Sequence, residues 1–245
     1  MSWRELYHER TCTAEEAIKA IPDGGRVVTG HAVGEPSYIL DVLCDHKDDY
    51  KDVEILHMVS MGAAKYCGED MAGHFRHNSL FVGGSTRKAV EEGRADYTPC
   101  FFYQVPALFE KELPVDVALV TVTPPNEDGK VSLGVSVDYT LAAVRHAKTV
   151  IAQVNDQMPF TYGEAVLDVS EIDYFVEHSN PLIELPAAKL TDIEKAIGAN
   201  CASLIQDGDT LQLGIGAIPD AVLFYLKDKK DLGIHSEMIS DGVVE

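Results

Sequence analysis

The chain repeats itself. Near its start stand Thr13 and Glu16, Asp23-Gly24, the apolar run Val27-Val28-Thr29, Gly30-His31-Ala32 and Pro36. Near its end, in the same order, stand Thr191 and Glu194, Asp207-Gly208, Leu211-Gln212-Leu213, Gly214-Ile215-Gly216 and Pro219. Each Thr-x-x-Glu fits a capping box, in which the hydroxyl takes an orphan helix N–H and the glutamate reaches back to the cap. Each Asp-Gly supplies a turn before a strand. Each proline falls where a helix can begin, at a position that needs no N–H. Helices are expected over 38–43 and 221–226, followed by Ile55-Leu56-His57 in one copy and Gly233-Ile234-His235 in the other. One Asp-Gly match means little, but an ordered series of matches predicts a duplicated α/β unit.

Between the copies, the near-continuous β-branched run over 115–122 reads as a strand buried on both faces. A loop over 124–129 follows, then helical spacing over 139–147 and a second buried strand over 149–154. Strand, helix and strand in that order predict a βαβ unit and a parallel sheet. Pro181 and Pro186 bracket a short linker. The boundary is therefore placed between an N-terminal α/β domain over 1–185 and the start of a second domain over 186–245. The first copy continues far past its glycine segment, whereas the second soon reaches Glu245. The expected fold is α/β, with two similar open parallel-sheet domains, the second incomplete.

Composition narrows the partners. With 40 acidic against 20 basic residues the formal net charge is −20, which repels phosphate backbones and argues against a nucleic-acid partner. The same field opposes any anionic ligand unless local amides and cations override it. No apolar run reaches the roughly 18 residues needed to cross a bilayer, and the N-terminus lacks the apolar stretch of a secretory signal. A cytoplasmic protein with no membrane partner is expected. The five cysteines are scattered, and His74 and His77 form a histidine pair with no cysteine nearby, so neither a disulfide framework nor a metal site is expected.

The second copy carries the residues with chemical potential. Leu211 to Asp220 reads as a strand, a glycine loop and a helix start. The glycines allow close approach of a ligand, and the first-turn amides carry positive partial charge. Such a loop cradles a phosphate, holds an oxyanion between two N–H groups, or is merely a tight turn. A dinucleotide fingerprint is a rival, because Glu237 stands near the offset of its acidic residue, but Pro219 replaces the third glycine. Glu237 itself follows a short apolar segment and is flanked by small residues. A glutamate there can act as base, ligand or nucleophile, or be a solvated loop carboxylate.

Gly214-Ile-Gly-Ala-Ile-Pro219, with His235-Ser-Glu-Met-Ile-Ser-Asp-Gly242, resembles the acetyl-CoA hydrolase/transferase family. Val82-Gly-Gly-Ser-Thr-Arg-Lys-Ala-Val-Glu-Glu-Gly-Arg-Ala-Asp-Tyr97, Gly129-Lys-Val-Ser-Leu-Gly134 and Gln153-Val-Asn-Asp-Gln-Met-Pro159 are similar to its N-terminal domain. Within the family the chain looks most like the 4-hydroxybutyrate and butyryl-CoA:acetate CoA-transferases. The resemblance implies two domains of CoA-transferase type, with Glu237 as the nucleophile that forms a glutamyl-CoA thioester. Gly214, Ile215, Gly216, Ala217 and Ile218 match the CoA-contacting loop. Coenzyme A and acyl-CoA are then substrates rather than resident cofactors, and a short-chain acid such as acetate, butyrate or 4-hydroxybutyrate is the other partner. Family members continue well past this glutamate, and a homodimer is typical of them, so the resemblance implies a homodimer or a missing C-terminal half. Acyl-CoA hydrolysis, or a non-catalytic fragment or subunit that binds nucleotide or CoA, stand as alternatives.

Overall fold

The computed structural model describes residues 1–186 and 189–244. The chain divides into two compact units, Met1–Ile183 and Glu184–Glu245. The first unit holds nine strands: β1 (Arg26–Thr29), β2 (Val53–His57), β3 (Phe75–Ser79), β4 (Ala95–Tyr97), β5 (Val117–Val122), β6 (Lys130–Ser132), β7 (Thr149–Val154), β8 (Val166–Asp168) and β9 (Tyr174–Glu177). Its helices are α1 (Trp3–Arg10), α2 (Ala14–Ala17), α3 (Ser37–Asp45), α4 (Arg87–Glu91), α5 (Val105–Leu108) and α6 (Asp138–His146). Seven strands form one sheet in the order β4-β3-β2-β1-β5-β7-β9, every neighbouring pair parallel. β6 and β8 form a small antiparallel ribbon that the sequence pattern does not announce.

The β-branched run over 117–122 is buried at every position. Its side chains alternate between two apolar layers, Val117 and Leu119 facing one and Ala118, Val120 and Val122 the other. The first layer is covered by Ile39, Leu40 and Leu43 of α3, the second by Tyr139, Leu141 and Val144 of α6. Each such aliphatic side chain taken fully out of water contributes roughly 1.5–3 kcal/mol. A parallel sheet covered on both faces is the arrangement in which a strand needs no polar face. The expected βαβ unit is present as β5, α6 and β7, with Val117 in register with Thr149.

The second unit contains α7 (Asp192–Ala202), β10 (Thr210–Leu211), α8 (Ala217–Phe224) and β11 (Gly233–Ile234). The repeat is visible bond by bond. Thr13 and Thr191 both close capping boxes with Glu16 and Glu194. Gly24 N donates to Lys51 O at 2.9 Å and Lys51 N to Asp23 Oδ1 at 2.8 Å. Gly208 N and Lys230 N make the same pair of bonds, to Lys230 O at 3.0 Å and Asp207 Oδ1 at 2.9 Å. Asp52 and Asp231 follow with φ of 55° and 56°, a left-handed conformation that aspartate tolerates better than most residues.

Three details differ from the sequence pattern. Val27 pairs with Ile55 and Leu211 with Ile234, so His57 corresponds to Ser236 and not to His235. The strand expected over 211–213 ends at Leu211, because the backbone of Leu213 is bound by a serine hydroxyl instead of a neighbouring strand. α8 starts at Ala217, ahead of the expected 221. Gly216, at φ 117° and ψ −176°, turns the chain into the helix in a region open only to glycine. Pro219 then lies in the first turn, where its missing N–H has no intrahelical partner to lose.

Two measurements probe these contacts. A Cβ on Gly198 of α7 would lie 2.5 Å from the carbonyl oxygen of Ala221 in α8. Gly198→Ala should therefore destabilise the second unit by about 1–3 kcal/mol in urea denaturation, opposite in sign to the roughly 1 kcal/mol gain at an open helical glycine. Asp168 is held at a pKa of about 2, below its ordinary 3.8, first by the Ser170 hydroxyl and backbone N–H and then by Lys130. A depressed carboxyl stabilises the fold above its unfolded pKa and loses that contribution as pH falls through the folded value. Asp168→Asn should flatten the fall in stability between about pH 4 and 2.

Candidate functional site

β10 and β11 run parallel, so both deliver chain at the same end of the pair. From β10 emerge Gly214, Ile215, Gly216, Ala217 and Ile218, and from β11 emerge Ser236 and Glu237. One side chain ties the two exits together. The Ser236 hydroxyl donates to Leu213 O at 2.7 Å and accepts from Leu213 N at 3.1 Å. The residue before the glycine loop is thereby bound to the residue before Glu237.

Among the described residues little packs against the loop glycines. A Cβ at Gly216 would meet nothing within 4 Å, and one at Gly214 only Pro219 Cγ at 3.7 Å. Ile215 and Ile218 are exposed, and Ala217 opens α8, whose first-turn N–H groups lack intrahelical acceptors. Glu237 sits at an exposed bend. Among the described residues no hydrogen bond or ion pair occupies its carboxylate. The arrangement therefore offers a free carboxylate and, from the neighbouring exit, backbone donors suited to an oxyanion or a phosphate.

The first unit holds a second concentration of polar groups that the sequence reading passed over. Its sheet order reverses at β1 and β5, and in open α/β sheets ligands bind outside the carboxyl ends of the strands at such a switch point. His31, just beyond β1, has Nδ1 2.6 Å from Asp138 Oδ2 at the start of α6, and its backbone N–H donates to Ser136 Oγ at 3.0 Å. His57, at the end of β2, has Nδ1 2.8 Å from the Tyr66 hydroxyl. The Nε2 atoms of His31 and His57 are buried without a hydrogen-bond partner. Burial pushes His57 well below the ordinary histidine range, with His77 and His31 adding to the effect, so its imidazole is neutral. Glu35 accepts from Ser60 and Gly62, yet burial lifts its carboxyl above the usual range. A signal was available: Gly30-His31-Ala32 through Pro36 is the first copy of the glycine loop, and it served only as a marker of the repeat. Among the described residues no group of three or more His, Cys, Asp or Glu side chains could hold a metal ion. No helix among them is long and apolar enough to cross a membrane.

The sequence profile of the acetyl-CoA hydrolase/transferase N-terminal domain matches residues 1–185. The chain belongs to the acetyl-CoA hydrolase/transferase family. Within that family it is 62% identical to the 4-hydroxybutyrate coenzyme A transferase of Clostridium kluyveri, over 100% of this chain and 57% of that protein. The crystal structure of RipA from Yersinia pestis superposes with a TM-score of 0.95 at 33% identity, covering 100% of this chain and 59% of that one. A 4-hydroxybutyrate CoA-transferase from Porphyromonas gingivalis superposes with a TM-score of 0.87 at 41% identity, covering 99% of this chain and 58% of that one. The chain thus spans little more than half the length of these relatives.

In this member of the acetyl-CoA hydrolase/transferase family, the juxtaposition of loop and glutamate depends on Ser236. Ser236→Ala leaves both polar groups of Leu213 without that partner. Its expected effect is a roughly tenfold faster hydrogen exchange of the Leu213 amide, read by NMR, with the first unit unchanged.

Proposed function

We propose that the protein carrying this chain transfers coenzyme A between a short-chain acyl-CoA and a carboxylate, through a glutamyl-CoA thioester on Glu237. The observation that supports this most directly is the free carboxylate of Glu237 beside an open glycine loop, the two exits joined through Ser236. Membership of the family, and likeness to a protein named 4-hydroxybutyrate coenzyme A transferase, point the same way.

The chemistry follows from a carboxylate nucleophile. A Glu237 oxygen attacks the thioester carbonyl of the acyl-CoA, the carbon–sulfur bond breaks, and CoA leaves as thiolate from a mixed anhydride. The thiolate attacks the glutamyl carbonyl, and the carbon–oxygen bond to the acyl group breaks. The first acid departs as carboxylate, and Glu237 is left as the CoA thioester. A second carboxylate runs the steps in reverse and leaves as the new acyl-CoA, which is a ping-pong scheme. No proton needs to be moved, so a free carboxylate with neighbouring backbone donors is a sufficient catalytic set. Amides of Gly214, Ile215, Gly216, Ala217 and Ile218 serve as oxyanion donors or CoA contacts. Coenzyme A is a substrate in this scheme, with acetate, butyrate or 4-hydroxybutyrate as the class of acid. Both activated species survive only where water is kept from them. Acyl-CoA hydrolysis is the outcome if it is not.

The test uses a protein with this sequence and whatever coding sequence follows Glu245, incubated with butyryl-CoA and analysed by mass spectrometry. A CoA addition on the peptide containing Glu237 is expected. Glu237→Gln should abolish that adduct and lower turnover by more than about a thousandfold in a folded protein. Release of CoA that requires no acceptor acid would mark a hydrolase. No adduct and no turnover in the folded wild type would leave a binding module.

A further inference from the structure

The handedness of its crossovers leaves part of the first unit's sheet without a helix. Parallel crossovers are right-handed, so a chain that steps outward from β1 through β2 and β3 to β4 lays each crossover on the same face. That face is apolar: Val53 and Ile55 of β2, Phe75 of β3 and Ala95 of β4 all join the first layer. On the opposite face, among the described residues, the second layer takes only Val28 and Leu56 from these four strands and nothing from β3 or β4. Parallel sheets are as a rule covered on both faces, and here half of one face is bare.

The bare face carries a row of alternating charge. Register sets Arg26 beside Glu54, Glu54 beside Arg76, and Asp96 on the next strand, one charge from each of β1 to β4. Neighbours hold each other in place. Arg26 Nη2 donates to Glu54 Oε2 at 2.8 Å, and Arg76 Nη2 to Asp96 Oδ1 at 2.6 Å. Asn78 Nδ2 donates to Glu54 Oε1 at 2.7 Å, so the acid is fixed from both sides. Arg76 and Asp96 are 50% and 54% exposed. Two aromatic rings stand on the same side of the sheet. Phe102 packs against the second layer, and its neighbours Phe101 and Tyr103 turn outward, 70% and 78% exposed, with their rings stacked 5.9 Å apart.

Exposed ion pairs add little to the stability of a fold, whereas aromatic residues and arginine are enriched where proteins meet. The charge order says what fits this face. With a net charge of −20, two copies repel each other, least so where the local charge is balanced. The row is balanced, and it is also complementary to itself. Turned about a two-fold axis parallel to the strands and passing between β2 and β3, plus-minus-plus-minus reads as minus-plus-minus-plus. Arg26 then meets the partner's Asp96, and Glu54 meets the partner's Arg76. A two-fold interface requires such a match of one surface with itself.

We infer that this face of β1 to β4, together with Phe101 and Tyr103, is the docking surface for a second copy of the chain, paired about that axis.

The experiment measures the dimer dissociation constant by sedimentation, in the protein that extends past Glu245. The wild type should be a dimer. Exchanging two charges, Arg76→Asp with Asp96→Arg, keeps the ion pair within the chain and the net charge. The row becomes plus-minus-minus-plus, which the same rotation sets like against like, so the dimer should weaken at least about tenfold with the circular dichroism unchanged. Phe101→Ser with Tyr103→Ser leaves every charge in place and should also weaken it at least about tenfold. The same exchange at Lys47 and Asp70, an ion pair on the first-layer side, should leave it within about threefold. A wild type that sediments as a monomer overturns the proposal. So does a dimer that either folded variant leaves intact, because another face then pairs.

Discussion

Burial of both faces of the β1–β5 pair is the constraint from which the first unit is built. Val27 and Val28 of β1, and every residue of β5, are out of water, divided between two apolar layers. Strands buried in this way can be parallel, and parallel strands require crossovers that carry helices over the faces. From β1 the order runs outward through β2, β3 and β4 on one side, and from β5 through β7 and β9 on the other. That divergence makes their carboxyl ends the switch point of the sheet. His31, Glu35 and the end of β2 gather around it because the chain must exit there.

The two copies of the repeat show how one backbone plan serves different ends. Both have the same capping box, the same Asp-Gly turn bonded to a lysine backbone, and the same left-handed aspartate before the second strand. The side chains at the strand exits then diverge. Register places Met58 where the second copy has Glu237, and His57 where it has Ser236. In the first unit those positions are buried among Tyr66, Tyr139 and Glu35, and the glycines after β1 are closely packed, Gly30 against Gly34 O and Gly34 against Ser136. In the second unit, among the described residues, nothing crowds the loop glycines Gly214 and Gly216, and Glu237 is exposed. Different side chains are thus carried on one arrangement of main-chain hydrogen bonds.

What could be read from the sequence were features encoded by near neighbours in the chain. Capping boxes, Asp-Gly turns and a run of β-branched residues act within a few positions, so Thr13 with Glu16, Asp207-Gly208 and the strand at 149–154 were legible. Glu237 and the loop over 214–218 stood out because both lie in short motifs. Their connection through Ser236 was not legible, because Leu213 and Ser236 meet only after α8 has carried the chain across.

The sequence by itself determined an α/β chain with a repeated unit, a parallel sheet, and a glutamate and a glycine loop worth attention. Only the tertiary structure decided which residue of the first copy corresponds to Ser236, that α8 begins at Ala217, and that Ser60 and Gly62 bond to Glu35. The physical reason is the range of the forces. Propensity and capping act over a single turn, whereas register, burial of a carboxyl group and the placing of an unpaired imidazole depend on residues that folding brings together from distant parts of the chain.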